Sequence, residues 1–472
     1  MFQNDAVSLS HDPIHRYIAF TDRGRPADHE ITERQLIDHP WLQRLRQIHQ
    51  LQTAWYVFPT AEHTRFQHVL GAMHLASQAV ERLYPSLQEI CPDVPSRGYV
   101  ESLLRLAGLL HDVGHGPFGH FFDDHCLQRF GLTHESVGAH VIEHELGDII
   151  RGIRRSPNSH LADSEQLDPQ QIAWLIQRPK DASNAATDEP QAPPKWLKLL
   201  RSLLSGIYTI DNMDFVLRDA YMSGYSVQAF DIDRLWHYSF FTEHGLTIHD
   251  RGMDALLRFM TVRAELFRAI YFHRTVRAID LSLADLFAEG HELILRASPL
   301  DDLHAYRDLT EWSLLVDVSR WANSKDVRKR ELGERWMRLL NREVPWKMLC
   351  QRTLVFPEGA SEQSSIFSDE QLVDRRLRQK LPAELHDIPL RINMPRHIYR
   401  PHTRGPARDQ NFLFDAAHQR VRPLRDNHLF RHLPVSHRIC RVYGQTREHA
   451  AQVAAALDEL IGPGGIDDLT NM

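Results

Sequence analysis

Apolar residues recur along most of this chain at helical spacing. From Phe66 to about Tyr84, Val69, Ala72, Met73, Ala76, Val80 and Leu83 trace one helical face. Glu101 to Leu110 is apolar almost all round, the pattern of a buried central helix, and it stops at the breaker Gly114-His115-Gly116-Pro117. Further helices are predicted over His134–His144 and Pro169–Ile176, then from Trp196 through about residue 290 and on to about 350. In that last region Leu256, Leu257, Met260, Leu266, Phe267, Ile270 and Tyr271 form one stripe. Near the start, Asp12 to Phe20 alternates like an extended segment. Asp38 reads as the N-cap of a helix carrying Leu42, Leu45, Ile48, His49 and Gln52. In the tail, Arg438–Tyr443 reads as a strand and Thr446–Ile461 as an amphipathic helix.

These elements predict a mainly α protein, a helical bundle with a small C-terminal α+β element. The expected division is residues 1–60 (strands and a helix packed on the core), 61–350 (helical domain) and 351–472 (α+β appendage). Within the helical domain, about 155–195 reads as a flexible insertion, because the run Asp181–Pro194 has too few apolar residues to order itself. The 472 residues suggest more than one structural unit. No apolar stretch reaches the about 18 residues that a membrane crossing needs, and Met1–Pro13 lacks the basic-then-apolar run of a leader. A cytoplasmic location is the expectation. Cys91, Cys126, Cys350 and Cys440 are scattered without a CxxC pair, which favours reduced, buried thiols over a zinc knuckle or disulfide framework. A net charge of −7 argues against a nucleic-acid binder by charge alone.

Histidine is what changes the picture. The chain has 30, and seven of them fall between His111 and His144. The densest run is His111-Asp112-Val113-Gly114-His115-Gly116-Pro117-Phe118-Gly119-His120. An adjacent histidine and aspartate closing a buried helix offer nitrogen and oxygen donors to one ion, since unpaired polar groups are costly to bury there. The glycines and proline then fold the chain back toward the same point. Two residues cannot hold a metal tightly. Other ligands must come from elsewhere, and His68 and Asp211, each among apolar neighbours, stand out.

The set His68, His111-Asp112 and Asp211 resembles the H…HD…D signature of the HD-domain superfamily of metal-dependent phosphohydrolases. The match spans roughly residues 10–290 and includes the Asp12-Pro13-Ile14-His15 opening, Gln43–Arg46, Thr64–Gly71 and Asp211–Asp219. Among its branches the chain most resembles the dNTP triphosphohydrolases. The resemblance implies an HD-domain helical bundle and one divalent metal ion (Mn, Fe, Zn, Ni or Mg) on His68, His111, Asp112 and Asp211. It implies that His115, His120 and His134 are catalytic, with Asp123 supporting them. Arg65 and Arg263 match residues that touch substrate phosphates. Gln50, Leu51, Phe215, Asp219 and Tyr271 match contacts to base and sugar, and Arg263, Phe267 and Tyr271 share one helix face by spacing. Asp38, Gln43 and Arg46 match residues that grip a guanine nucleotide activator in regulated members, although Gln43 and Arg46 read equally as structural. A homo-oligomer, dimer or tetramer, is the family habit.

Three positions depart from the triphosphohydrolase pattern. Asn212 stands where a phosphate-binding lysine is common, Phe215 replaces a tyrosine, and Phe272 replaces a polar residue. The leading reading is therefore hydrolysis of a nucleotide, a dNTP giving deoxynucleoside and triphosphate. A second keeps the metal site but acts on monophosphates or diesters. A third is a nucleotide-sensing or single-stranded nucleic-acid-binding protein, ranked last because every metal ligand is present.

Overall fold

The computed structural model describes residues 6–22, 30–177, 193–356, 366–398, 411–433 and 436–461. Most of the Asp181–Pro194 run lies outside them. The described chain is mainly helical and folds as two compact units. The first comprises Met1–Val262, His291–Val316 and His402–Asn427; the second comprises Arg263–Gly290, Asp317–Pro401 and His428–Met472.

The first unit opens with a hairpin of strands Val7–Asp12 and Arg16–Thr21, not the single extended segment expected over Asp12–Phe20. The reason is local: Asp12 Oδ1 accepts the backbone N–H groups of Ile14 and His15, which turns the chain at the head of that run. A short helix, α1 (Glu33–Ile37), follows. Asp38 closes α1 as its C-cap, and His39 caps Pro40–Gln43, so the expected N-cap role of Asp38 is corrected. The helix expected through Gln52 tightens into a 3-10 turn at Arg44–Gln47 and stops at Ile48.

The core is a pair of long helices, α2 (Arg65–Ile90) and α3 (Arg97–Leu110), joined by α4 (His134–His144) and α5 (Ile210–Met222). Every residue of α3 from Gly98 to Leu110 is buried, Glu101 and Arg105 included, in keeping with its mostly apolar sequence. Gly108 lets α2 and α3 approach closely, since a Cβ there would lie 2.9 Å from the Ala72 carbonyl oxygen. Helix was expected throughout residues 196–290, yet Ser239–Thr242 and Gly245–His249 form strands. Gly245–His249 pairs in parallel with Asn411–Asp415, so part of the region assigned to the C-terminal appendage completes a sheet in the first unit.

In the second unit, strand Ser436–Gly444 is flanked by Lys347–Phe356 on one side and by Leu390–Asn393 and Arg396–Ile398 on the other, all antiparallel. Helices Glu370–Lys380 and Ala450–Ile461 share a core with this sheet, built from Val373, Leu377, Cys440, Val442, Val453 and Leu457. The expected tail strand and helix are both present. All four cysteines are buried. Among the described residues no helix is long and apolar enough to cross a membrane.

One buried ion pair ties the N-terminal hairpin to the helical core. Arg105 on α3 donates to both oxygens of Glu33 (2.5 and 2.9 Å), to Ser77 on α2 and to the Ala19 carbonyl of the hairpin. Removing one partner leaves a buried charge uncompensated. Arg105→Ala is expected to cost roughly 3–5 kcal/mol in urea unfolding; a loss below 1 kcal/mol would show that this pair does not hold the hairpin in place.

Candidate active site

Three segments supply the four central donors. α2 starts at a capping box, in which the Thr64 N–H donates to Gln67 Oε1 at 2.6 Å, and this puts His68 in the first turn. α3 ends at His111, its C-cap, with Asp112 next in the chain. α5 starts behind Thr209, whose side chain accepts the Asn212 N–H, so Asp211 falls in a first turn where a carboxylate is favoured.

These residues converge. His68 Nε2 lies 3.2 Å from His111 Nε2 and 3.1 Å from Asp211 Oδ1. His111 Nε2 lies 3.5 Å from Asp112 Oδ1 and 3.6 Å from Asp211 Oδ1. One donor atom each from His68, His111 and Asp112 falls within 4.8 Å of the others. Ligands about 2.1 Å from one ion sit about 3–3.4 Å apart, so His68, His111 and Asp112 fit a divalent cation, with Asp211 Oδ1 adjoining both histidines.

The orientation of both rings is set from behind. His68 Nδ1 donates to Asp214 Oδ2 at 2.8 Å, and His111 Nδ1 donates to the Gly108 carbonyl at 2.8 Å. Nε2 of each ring is therefore the atom turned to the centre. Burial pulls the His68 pKa down, but its hydrogen bonds to Asp211 and Asp214 outweigh it and hold it up at about 10. The extra proton occupies the place a cation would take. Burial would raise Asp112 and Asp211; the Arg65 guanidinium keeps Asp112 well below the usual carboxylate range, and the two histidines do the same for Asp211.

Asp214 was not singled out from the sequence, yet it is the anchor. Its side chain is fully buried; Arg218 Nε and Nη2 donate to its two oxygens at 2.9 Å each, and His15 Nε2 donates to Oδ1 at 2.7 Å. Arg218 Nη1 also donates to Asp12 Oδ2 at 2.8 Å, so the hairpin turn joins the network. Gly71 makes room for it: a Cβ there would lie 1.8 Å from Asp214 Oδ1. The available signal was the spacing of Asp211, Asp214 and Arg218, which places them on one side of α5.

A second cluster lies beside the first. His115 is fully buried, with Nε2 3.3 Å from Asp112 Oδ1, and it stacks on His134 (centroids 3.7 Å apart, planes 12° apart). Burial, with help from Arg65 and His134, pushes the His115 pKa well down, so the ring is neutral. His134 opens α4 and donates Nδ1–H to Asp123 Oδ2. His120, with 57% of its side chain exposed, sits 3.6 Å from the same oxygen. Burial would raise the Asp123 carboxyl, but hydrogen bonds from His120 and His134 hold it far below the usual range. Donor atoms of His115, His120, Asp123 and His134 also lie within 4.8 Å of one another. Nearly parallel stacked rings cannot both aim in-plane lone pairs at one ion, so this arrangement suits proton handling better than metal binding.

The other expected residues fall as follows. Arg65 is buried and donates to Asp112 Oδ2 at 2.6 Å. Asp219 is buried and accepts from His63 Nε2 at 2.7 Å, a partner the sequence reading missed. Leu51 is buried, and Gln50 and Phe215 are half-buried. Gln43 donates to the Ile37 carbonyl and accepts from Arg46, which lies over the Phe66 ring; Asp38 is exposed and pairs with Arg34. Arg263 and Tyr271 belong to the second unit. Helix Met253–Leu266 ends before Tyr271, and Phe267–Tyr271 winds as a π-turn, so the expected shared α-helical face does not run through.

The HD domain family model matches residues 65–186, which take in both clusters apart from Asp211. The uncharacterised protein YwfO of Bacillus subtilis is 28% identical over 349 residues, 71% of this chain and 70% of that one. The deoxynucleoside triphosphate triphosphohydrolases SAMHD1 of Bos taurus and Homo sapiens are 29% and 28% identical over 332 and 329 residues. Those matches cover 65% of this chain but 53% and 50% of the relatives, so the chain spans about half the length of these triphosphohydrolases. The crystal structure of a hypothetical protein from Aquifex aeolicus shares the fold, with a TM-score of 0.66 at 24% identity, covering 96% of this chain and 100% of that one. Residues 65–186 thus match an HD domain, and the chain is similar to HD-domain phosphohydrolases. Within that superfamily it is related to the dNTP triphosphohydrolases at modest identity.

Asp214→Asn keeps the shape of the anchor but removes its charge. It is expected to weaken Mn²⁺ binding by about 10–100-fold in a chelator-competition titration. An unchanged affinity would remove Asp214 from this account.

Proposed function

We propose that this protein hydrolyses a deoxynucleoside triphosphate to deoxynucleoside and triphosphate, with one divalent cation held by His68, His111, Asp112 and Asp211. The observation that carries the reading is the meeting of these donors around one point, with both outer ring nitrogens committed elsewhere. A cation there would polarise a phosphoryl oxygen and activate water.

The chain's own residues do the rest. Arg65 keeps a guanidinium against Asp112, where a phosphate adds negative charge. Asp123 fixes Nδ1–H of His134, leaving Nε2 to give a proton to the departing 5′ oxygen. Neutral His115 stacks on that ring and sets its plane. His120, exposed beside Asp123, connects the cluster to solvent. Gln50, Leu51, Phe215, Asp219, Arg263 and Tyr271 are assigned to substrate contacts by the family resemblance. Asp38, Gln43 and Arg46 are assigned on the same basis to a guanine nucleotide activator, in a homo-oligomer.

Asn212 and Phe215, where the triphosphohydrolases carry lysine and tyrosine, favour a second reading in which the substrate is a monophosphate or diester. ³¹P NMR of the Mn²⁺-loaded protein with each dNTP, with and without GTP, separates the two. Tripolyphosphate is expected from the intact protein and none from Asp211→Ala. No turnover of any dNTP with Mn²⁺ bound, and release of orthophosphate from a monophosphate instead, would overturn the first reading in favour of the second.

A further inference from the structure

Arg44 lies between the residues assigned to the activator, and its contacts go elsewhere. Its side chain is buried, and its guanidinium donates to backbone carbonyls. Nη1 reaches His115 O at 2.7 Å and Val113 O at 3.3 Å; Nε reaches Arg307 O at 3.0 Å; Nη2 reaches Leu309 O at 2.9 Å and Tyr306 O at 3.4 Å. The Tyr306 hydroxyl, also buried, donates to Gly114 O at 2.7 Å. The three consecutive carbonyls of Val113, Gly114 and His115 are thus all held from one side. On the other side Gly114 is pressed to the first turn of α4, where a Cβ would lie 2.1 Å from His134 O. Burial pulls the Arg44 pKa down to about 10, which leaves it charged at neutral pH.

This short loop is the only covalent path between Asp112, in the central donor set, and His115, in the histidine cluster. Carbonyl directions at residues 113–115 fix the peptide planes, and with them the 3.3 Å approach of His115 Nε2 to Asp112 Oδ1. A guanidinium suits the task because its five donors are spread in a rigid planar fork, whereas an ammonium offers three donors from one point. We propose that Arg44, acting with Tyr306, is the positioning residue that holds the loop from Asp112 to His115 in register between the two clusters. The proposal rests on the reading of the His115 cluster as the proton-handling group, but its physical part is testable without turnover.

The variants are Arg44→Lys and Tyr306→Phe in the full-length, Mn²⁺-loaded protein. Hydrogen exchange followed by mass spectrometry is expected to show amides of residues 113–118 exchanging at least about tenfold faster in Arg44→Lys, with bound Mn²⁺ per chain unchanged. Tyr306→Phe should show a smaller rise over the same residues. Displacement of the loop is expected to lower kcat about 10–100-fold with KM within about twofold, because geometry and not binding is disturbed. Unchanged exchange at 113–118 in both variants would overturn the proposal, as would a uniform rise across the whole first unit. Should Arg44→Lys not fold, Tyr306→Phe decides by the same exchange criterion. If the intact protein turns over no nucleotide, the functional reading fails while the exchange result still decides the clamp.

Discussion

The hydrogen bond from His68 Nδ1 to Asp214 decides which nitrogen of His68 faces the centre, and most of the first unit is arranged to keep it. A buried carboxylate is tolerated only if it is fully paired. Asp214 meets that condition through Arg218, His15 and His68 together, with Arg218 extended to Asp12 in the hairpin turn. Gly71 on α2 and the spacing along α5 give that network its space. The N-terminal hairpin is therefore part of the site's support, although its residues lie far from His68 in sequence. Arg105 and Glu33 fasten the same hairpin to the core a second time.

Two neighbouring clusters of similar composition end up with different chemistry because of ring geometry. In the central set, His68 and His111 meet edge to face, 85° apart, with Nε2 atoms opposed and carboxylate oxygens around them. Such an arrangement asks for a positive charge in the middle. In the neighbouring set, His115 and His134 lie nearly parallel, and Asp123 is already engaged with His134. That arrangement suits holding a proton in a fixed direction better than binding a metal. Asp112 touches both sets, being 3.5 Å from His111 and 3.3 Å from His115, so the two are electrostatically coupled.

Much of this was legible in the sequence where the signal is periodic or local. α2, α3 and α4 follow from apolar spacing, and His68, His111, Asp112 and Asp211 stand out by their placement among apolar neighbours. What stayed hidden depends on partners distant in sequence. Asp214 looks like one of many aspartates until His15 and Arg218 are seen around it. His63 gives no sign of its bond to Asp219. Strand Gly245–His249 has its parallel partner at Asn411–Asp415, more than 150 residues on, and no local pattern reports that pairing. The hairpin turn is equally silent, because Asp12, an ordinary polar residue by sequence, turns the chain with its side chain.

The central claim is that one divalent cation belongs to His68, His111, Asp112 and Asp211, and that the neighbouring histidines stay free of metal. Anomalous diffraction at the manganese edge from crystals grown with Mn²⁺ tests it most directly. The account predicts one strong peak, about 2.0–2.2 Å from His68 Nε2, His111 Nε2 and an oxygen of each aspartate. A peak among His115, His120, Asp123 and His134, with none at the first set, would contradict it.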